Sequence, residues 1–294
     1  MTTKLDTEIH EKKYEEFIPL DKSWITRMGV LDIINGYTDI ELFLNRQTDL
    51  NGDLLALKNS SVAWKTGSPI NVGESATLYR LLQFASWKLN LNKVFIKEGT
   101  LKNREIINDP NIINLSLEKL LNLDNQTTQW ATASIITGNK QRISNPPSKL
   151  QQTYDAVDHW NKKRQAGLVW DAQYDETIQK QVEAFLELKK GLKVVFVPTC
   201  SDDYCFARVF NFITKENGEK SWPSLRGHES NRIEEMEKAI TEAELGIDIT
   251  SKDHRVVQAL AMWGIINNKK LDFLHKDSVS KSWPKFWDFL VAAE

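Results

Sequence analysis

The stretch NRIEEMEKAITEAELGIDITSKDHRVVQALAMW, residues 231–263, holds two helix patterns with a short apolar run between them. Asn231 is a favourable N-cap, and Ile233, Met236 and Ile240 follow at helical spacing. Glu234 stands three residues on as a capping-box partner, and Gly246 lies just past the end. Gly246–Ile249 then reads as a short strand. Asp253 opens a second amphipathic run through Val256, Leu260 and Trp263. Helix, strand and helix in one stretch argue for an α/β class.

The same pattern recurs outward from this stretch. Ser23 precedes Ile25, Met28, Leu31 and Ile34, closed by Gly36, and Ser75 and Thr77 precede Leu78, Leu81, Leu82 and Ala85. Val94–Ile96 and Leu192–Val197 are further strand-like runs. The candidate helix starts Ser23, Ser75 and Thr127 lie 52 residues apart, Asp202 and Asp253 lie 51 apart, and Ser230 and Ser282 lie 52 apart. A fixed period of this kind suggests repeated supersecondary units.

Composition bounds the function. The chain has 294 residues, 41% hydrophobic and 27% charged, with a net charge of −2. That is enough apolar material for one large or two medium domains, and it gives no basic field for nucleic acid or an acidic membrane. The polar start, Met1 to Phe17, does not read as a signal peptide. The apolar run Val256–Ile266 falls short of the roughly 20 residues a membrane span needs. A cytoplasmic location is therefore expected. Cys200 and Cys205 read as buried free thiols, not as a disulfide framework or a metal site. The ten tryptophans, scattered along the candidate helices, read as helix-to-sheet packing.

The arginines point to chemistry. Arg27, Arg80, Arg232 and Arg255 all fall in the first turn or two of candidate helices, where the helix dipole disfavours a cation unless an anion is present. Several such arginines, each near Ser, Thr or Asp, suggest a cleft built for multiply charged ligands.

Seven motifs then resemble one family in order. Lys22-Ser23-x-x-x-Arg27, Gly73-Glu74-Ser75-Ala76-Thr77-Leu78-Tyr79-Arg80 and Gly99-Thr100-Leu101-Lys102-Asn103-Arg104 are the first three. Thr127-Thr128-Gln129, Arg226-Gly227-His228-Glu229-Ser230-Asn231-Arg232, Asp253-His254-Arg255 and Lys281-Ser282-Trp283-Pro284 follow. Together they resemble the EPSP synthase (3-phosphoshikimate 1-carboxyvinyltransferase) family, although the chain is roughly a third shorter than that family's norm. His228 stands where the family has Lys, Asn231 where it has Asp, Glu74 where it has Asn and Ala76 where it has Gly.

The resemblance implies a two-domain inside-out α/β barrel of trimmed, repeated βαβαββ units. The N-terminal domain would take residues 21–165. The C-terminal domain would take residues 1–20 with 166–294. Helix N-termini would line the cleft between them. The implied reaction moves the carboxyvinyl group of phosphoenolpyruvate to the 5-hydroxyl of shikimate 3-phosphate, in aromatic amino acid biosynthesis, with no metal or cofactor and as a monomer. Lys22, Ala76, Arg104, Gln129, Arg232, Arg255 and Lys281 would hold phosphoenolpyruvate. Ser23, Arg27, Thr127, Thr128, Gln129, Ser144, Asp203 and His228 would hold shikimate 3-phosphate. Lys22, Asp203 and Glu229 would be catalytic, with Asp203 as base and Glu229 shuttling the proton at C3. Asp202 and Asp203 also fit a plain turn and N-cap. His254 also fits a loop-orienting role, and Arg80 reads as a structural partner. The Ala76 methyl is expected to crowd the site against glyphosate, the family's inhibitor. Two other readings remain open: transfer to a different phosphorylated or sugar-like acceptor, and an anion-binding relative without catalysis.

Overall fold

In the computed structural model the described residues are 14–123, 127–140, 142–167, 170–227 and 230–294. Capping chemistry sets most helix starts. Asp21 accepts from the backbone of Trp24 and opens α1 (Lys22–Ile34). Thr38 precedes α2 (Asp39–Asn45), and Asn51 caps α3 (Gly52–Thr66). Ser75 caps α4 (Ala76–Lys88), and Ser116 caps α5 (Leu117–Asn122). Then come α6 (Gln129–Thr137) and α7 (Gln151–Gln165). These elements belong to one compact unit, residues 20–173.

The second unit takes residues 1–19 and 174–294. Asp175 caps α8 (Glu176–Lys189), and a 3-10 turn at Ser201–Asp203 leads into α9 (Tyr204–Val209). Thr214 caps α10 (Lys215–Ser221). Asn231 caps α11 (Arg232–Leu245), and Asp253 caps α12 (His254–Ile266). The last helix is α13 (Phe286–Ala293).

The barrel expected from the sequence is not the fold. Of the described residues about 62% are helical, and they hold one sheet, of two short parallel strands. These are β1 (Ile70–Asn71) and β2 (Phe95–Ile96), paired Ile70 to Phe95 and Asn71 to Ile96. In the second unit the counterpart is a parallel bridge, Ile249 to Phe273. Of the runs expected to be strands, Val94–Ile96 keeps two residues and Gly246–Ile249 keeps the bridge. Leu192–Val197 forms no strand with any of the described residues. The physical reason lies in the helices. A helix resting on a sheet buries one stripe. Here α4 buries Ala76 and every residue from Leu78 to Ser86, and α12 buries every residue from His254 to Met262. Helices buried on nearly every side pack against other helices.

That packing also accounts for the tryptophans. Trp130 is fully buried and stacks on Trp87, joining α6 to α4. Trp283 is fully buried between Phe286 and Phe289. Its indole donates to the Phe17 carbonyl at 2.6 Å, which holds the described N-terminal residues in the second unit. Helix-to-sheet packing is thus replaced by helix-to-helix packing.

Several local starts differ from the sequence reading: Thr127 stands one residue before the N-cap of α6, and Asp202 lies inside a 3-10 turn. The cap of α1 is Asp21, and Ser23 lies exposed inside the first turn. Ser282 does not open the last helix. It follows a 3-10 turn at Lys276–Lys281, and α13 begins at Phe286. Among the described residues no helix is long and apolar enough to cross a membrane.

Asp32 organises one end of the first unit. It is fully buried on α1 and accepts from the indoles of Trp160 (2.7 Å) and Trp170 (2.9 Å) and from the Ile40 backbone (2.9 Å). Arg164 forms its ion pair. Trp170 thereby keeps the chain beyond α7 in this unit.

Candidate functional site

In the second unit three separate segments meet on one set of charges. Arg232 is the first residue of α11, Arg255 lies in the first turn of α12, and Asp202 lies in the Ser201–Asp203 turn. Arg232 Nη1 is 3.2 Å from Asp202 Oδ1, and Arg255 Nη2 is 3.1 Å from Asp202 Oδ2. Arg232 Nε also donates to Asp253 Oδ2 at 2.9 Å. Asp253 accepts from Ser230 Oγ at 3.0 Å and from the Arg255 backbone N–H at 2.9 Å.

Burial sets the electrostatics of this cluster. Desolvation works against the charge on Arg232, but Asp253 and Asp202 overcome it and hold the guanidinium above its ordinary value. Arg255 follows the same pattern: desolvation opposes its charge, and Asp202 and Asp175 restore it. Asp253 is pulled the other way. Burial alone would raise its carboxyl, yet Arg232 and His254 hold it well below the usual range. Cys205, beside this network, is pushed up by burial and stays a thiol, as expected for a buried residue.

The first unit holds its candidate residues in three smaller groups. Gln129, at the start of α6, accepts from Arg80 Nη1 at 2.6 Å and donates to Thr77 Oγ1 at 2.5 Å. Arg80 thus orients a proposed ligand group from α4. Lys22 Nζ lies 2.9 Å from Asp53 Oδ2. Arg104 donates to Thr100 Oγ1 at 3.2 Å, and Thr100 donates to Glu74 Oε2 at 3.1 Å. Gly99 lies against this last group. It has a φ of +46°, and a Cβ there would lie 1.6 Å from Glu74 Oε1.

The remaining residues fall as follows. Arg27 is half-buried and donates to Thr153 Oγ1 at 3.2 Å and to the Ser23 carbonyl at 2.7 Å. Its pKa is lowered by burial, with Asp21 opposing. Thr127 and Thr128 are half-buried before α6, and Thr127 Oγ1 accepts from the Gln129 backbone at 3.1 Å. Ser144 is exposed, and Lys281 is half-buried at the end of its 3-10 turn. Ala76 is packed in the hydrophobic core of the first unit. His228 and Glu229 lie outside the described residues.

Asp203 is enclosed. It is 1% exposed, and its carboxylate accepts from Gln181 Nε2 (3.0 Å), the Thr199 backbone (2.8 Å) and Thr199 Oγ1 (3.1 Å). A carboxylate so enclosed ties α8 to the turn before α9. Its neighbour Asp202, read from the sequence as a turn or cap, is the residue that faces the arginines. The only sequence signal was the Asp-Asp pair itself, and which of the two turns toward the cations depends on the 3-10 turn.

Among the described residues no group of three or more His, Cys, Asp or Glu is arranged to hold a metal ion. Comparison with protein-family models, curated proteins and solved structures finds no match to this chain.

Proposed function

We propose that this chain binds phosphoenolpyruvate through Arg232 and Arg255, and that carboxyvinyl transfer to the 5-hydroxyl of shikimate 3-phosphate is the reaction this binding serves. The observation that carries the binding step is the convergence of the two arginines, from different helices, on the two oxygens of one carboxylate. Two guanidiniums in that relation match a carboxylate or phosphate of a ligand. The transfer step rests on the ordered motifs from Lys22 to Pro284. In that reaction the acceptor oxygen bonds to C2 of phosphoenolpyruvate while a proton goes to C3. The tetrahedral intermediate then loses phosphate from C2 and a proton from C3, which restores the double bond. Cations near the phosphate stabilise the charge that develops as it leaves.

Binding without transfer is the second reading, and the enclosure of Asp203 favours it. A base must reach the acceptor hydroxyl, and the oxygens of Asp203 are taken by Gln181 and Thr199. Phosphate release from phosphoenolpyruvate, measured with and without shikimate 3-phosphate beside a calorimetric titration, separates the two. Transfer predicts release only when both are present. Binding alone predicts a titration signal and no release. Arg255→Gln should weaken phosphoenolpyruvate binding at least tenfold. Binding unchanged in that variant would remove the site from Arg255.

A further inference from the structure

Asp202 is the exposed member of an otherwise buried cluster. Its side chain is 44% exposed, against 11% for Arg232, 3% for Arg255 and 2% for Asp253. Its two oxygens are divided between the two arginines, as those of a bound carboxylate or phosphate would be. Arg255 is also left with Nε and Nη1 buried and without a hydrogen-bond partner. A buried donor without an acceptor is costly, and a side-chain carboxylate has only two oxygens to offer. A tetrahedral phosphate has more.

We propose that Asp202 is an internal occupant of the anion site, which a small phosphate- or carboxylate-bearing ligand displaces from Arg232 and Arg255. The inference rests on the reading of these two arginines as the ligand-binding pair. Displacement suits the geometry. Asp202 returns to water readily from its half-exposed turn, whereas the arginines are already desolvated in the folded protein. Asp253 is a different case, because it is buried, caps α12 and accepts from Ser230 and Arg232, so it stays in place when the ligand enters. The four charged side chains Arg232, Arg255, Asp202 and Asp253 are formally neutral together. When Asp202 leaves, one hydrogen-bonding edge of each arginine is freed for the ligand, while Asp253 stays on Arg232 and Asp175 still acts on Arg255.

Titration of the full chain with inorganic phosphate and with phosphoenolpyruvate, for the wild type, Asp202→Asn and Asp202→Ser, tests this. Both variants are expected to bind each anion at least tenfold more tightly than the wild type. Their melting temperatures should be lower than the wild type's in chloride and should rise more with added phosphate. Equal affinity in all three proteins would overturn Asp202 as occupant while leaving the arginines as the site. Binding by the wild type that is lost in both variants would make Asp202 part of the site, which also overturns the inference. No binding by any of the three would overturn both the inference and the reading beneath it. Should a variant fold only in phosphate, the anion is replacing the Asp202 charge, as proposed. Failure of both variants to fold even in phosphate would count against it.

Discussion

Asp253 shows how much one buried carboxylate can carry. It caps α12, pairs with Arg232 and accepts from Ser230. Asp253→Asn keeps the shape and the cap but strips Arg232 of its buried partner. Removing one member of a buried ion pair costs about 3–5 kcal/mol, and the remaining contact with Asp202 places the expected loss near the lower figure. The pH dependence has a definite sign. Folding lowers this carboxyl below its ordinary 3.8, so the unfolded chain binds more protons in acid. The stability it contributes is whole above that value and is lost as the pH falls through the lowered folded value. Urea unfolding at pH 7 and in acid should show the wild type losing stability below pH 3.8 more steeply than the variant. Parallel acid limbs would contradict the assignment. Asp32 has the opposite sign. Burial raises its carboxyl against Trp160 and Arg164, so its contribution is present below 3.8 and is lost as the pH rises through the raised folded value.

Within an element, propensity and packing can disagree, and magnitude decides. Gly218 lies in α10, where alanine is normally better than glycine by about 1 kcal/mol. A Cβ at this position would lie 2.2 Å from Tyr204 Cε2 and 2.6 Å from Cδ2. Tyr204 is fully buried, so its ring has no solvent to move into. Overpacking of this kind costs about 1–3 kcal/mol, which exceeds the gain in propensity at most of that range. Gly218→Ala should therefore lower the denaturation midpoint. A raised midpoint would mean that the ring shifts freely. The caps were the most legible part of the elements. Ser75, Asn231 and Asp253 act where their side-chain chemistry suggested. Ser23 and Ser282 did not, because Asp21 and a 3-10 turn take those ends. A hydroxyl near an apolar run marks the neighbourhood of a helix start, and backbone geometry chooses the residue.

At the scale of the whole chain, each unit has its own hydrophobic core. That of residues 20–173 is built on Leu31, Phe84, Trp130 and Tyr154, and that of the second unit on Phe185, Phe206, Trp283 and Phe289. The first unit is continuous in sequence, which makes it separable. Residues 20–173 expressed alone should give a helix-rich fragment that unfolds in one cooperative transition. A fragment with helical signal but no cooperative transition would show that this core needs the remainder of the chain. The alternation of helix and apolar run in residues 231–263 pointed to an α/β class because short apolar runs look alike whether or not they pair. Two-residue strands were below what the pattern could distinguish.

The sequence by itself determined the helices that begin near residues 22, 76, 232 and 254, the apolar spacing within them, and that arginines crowd their starts. Those properties follow from local spacing and capping, which neighbours in the chain decide. Tertiary structure decided the rest. It replaced a sheet by helices buried on nearly all sides, enclosed Asp203, and turned Asp202 toward Arg232 and Arg255. Each of these depends on contacts between residues distant in the chain, where burial raises the cost of an unpaired charge and so selects its partner.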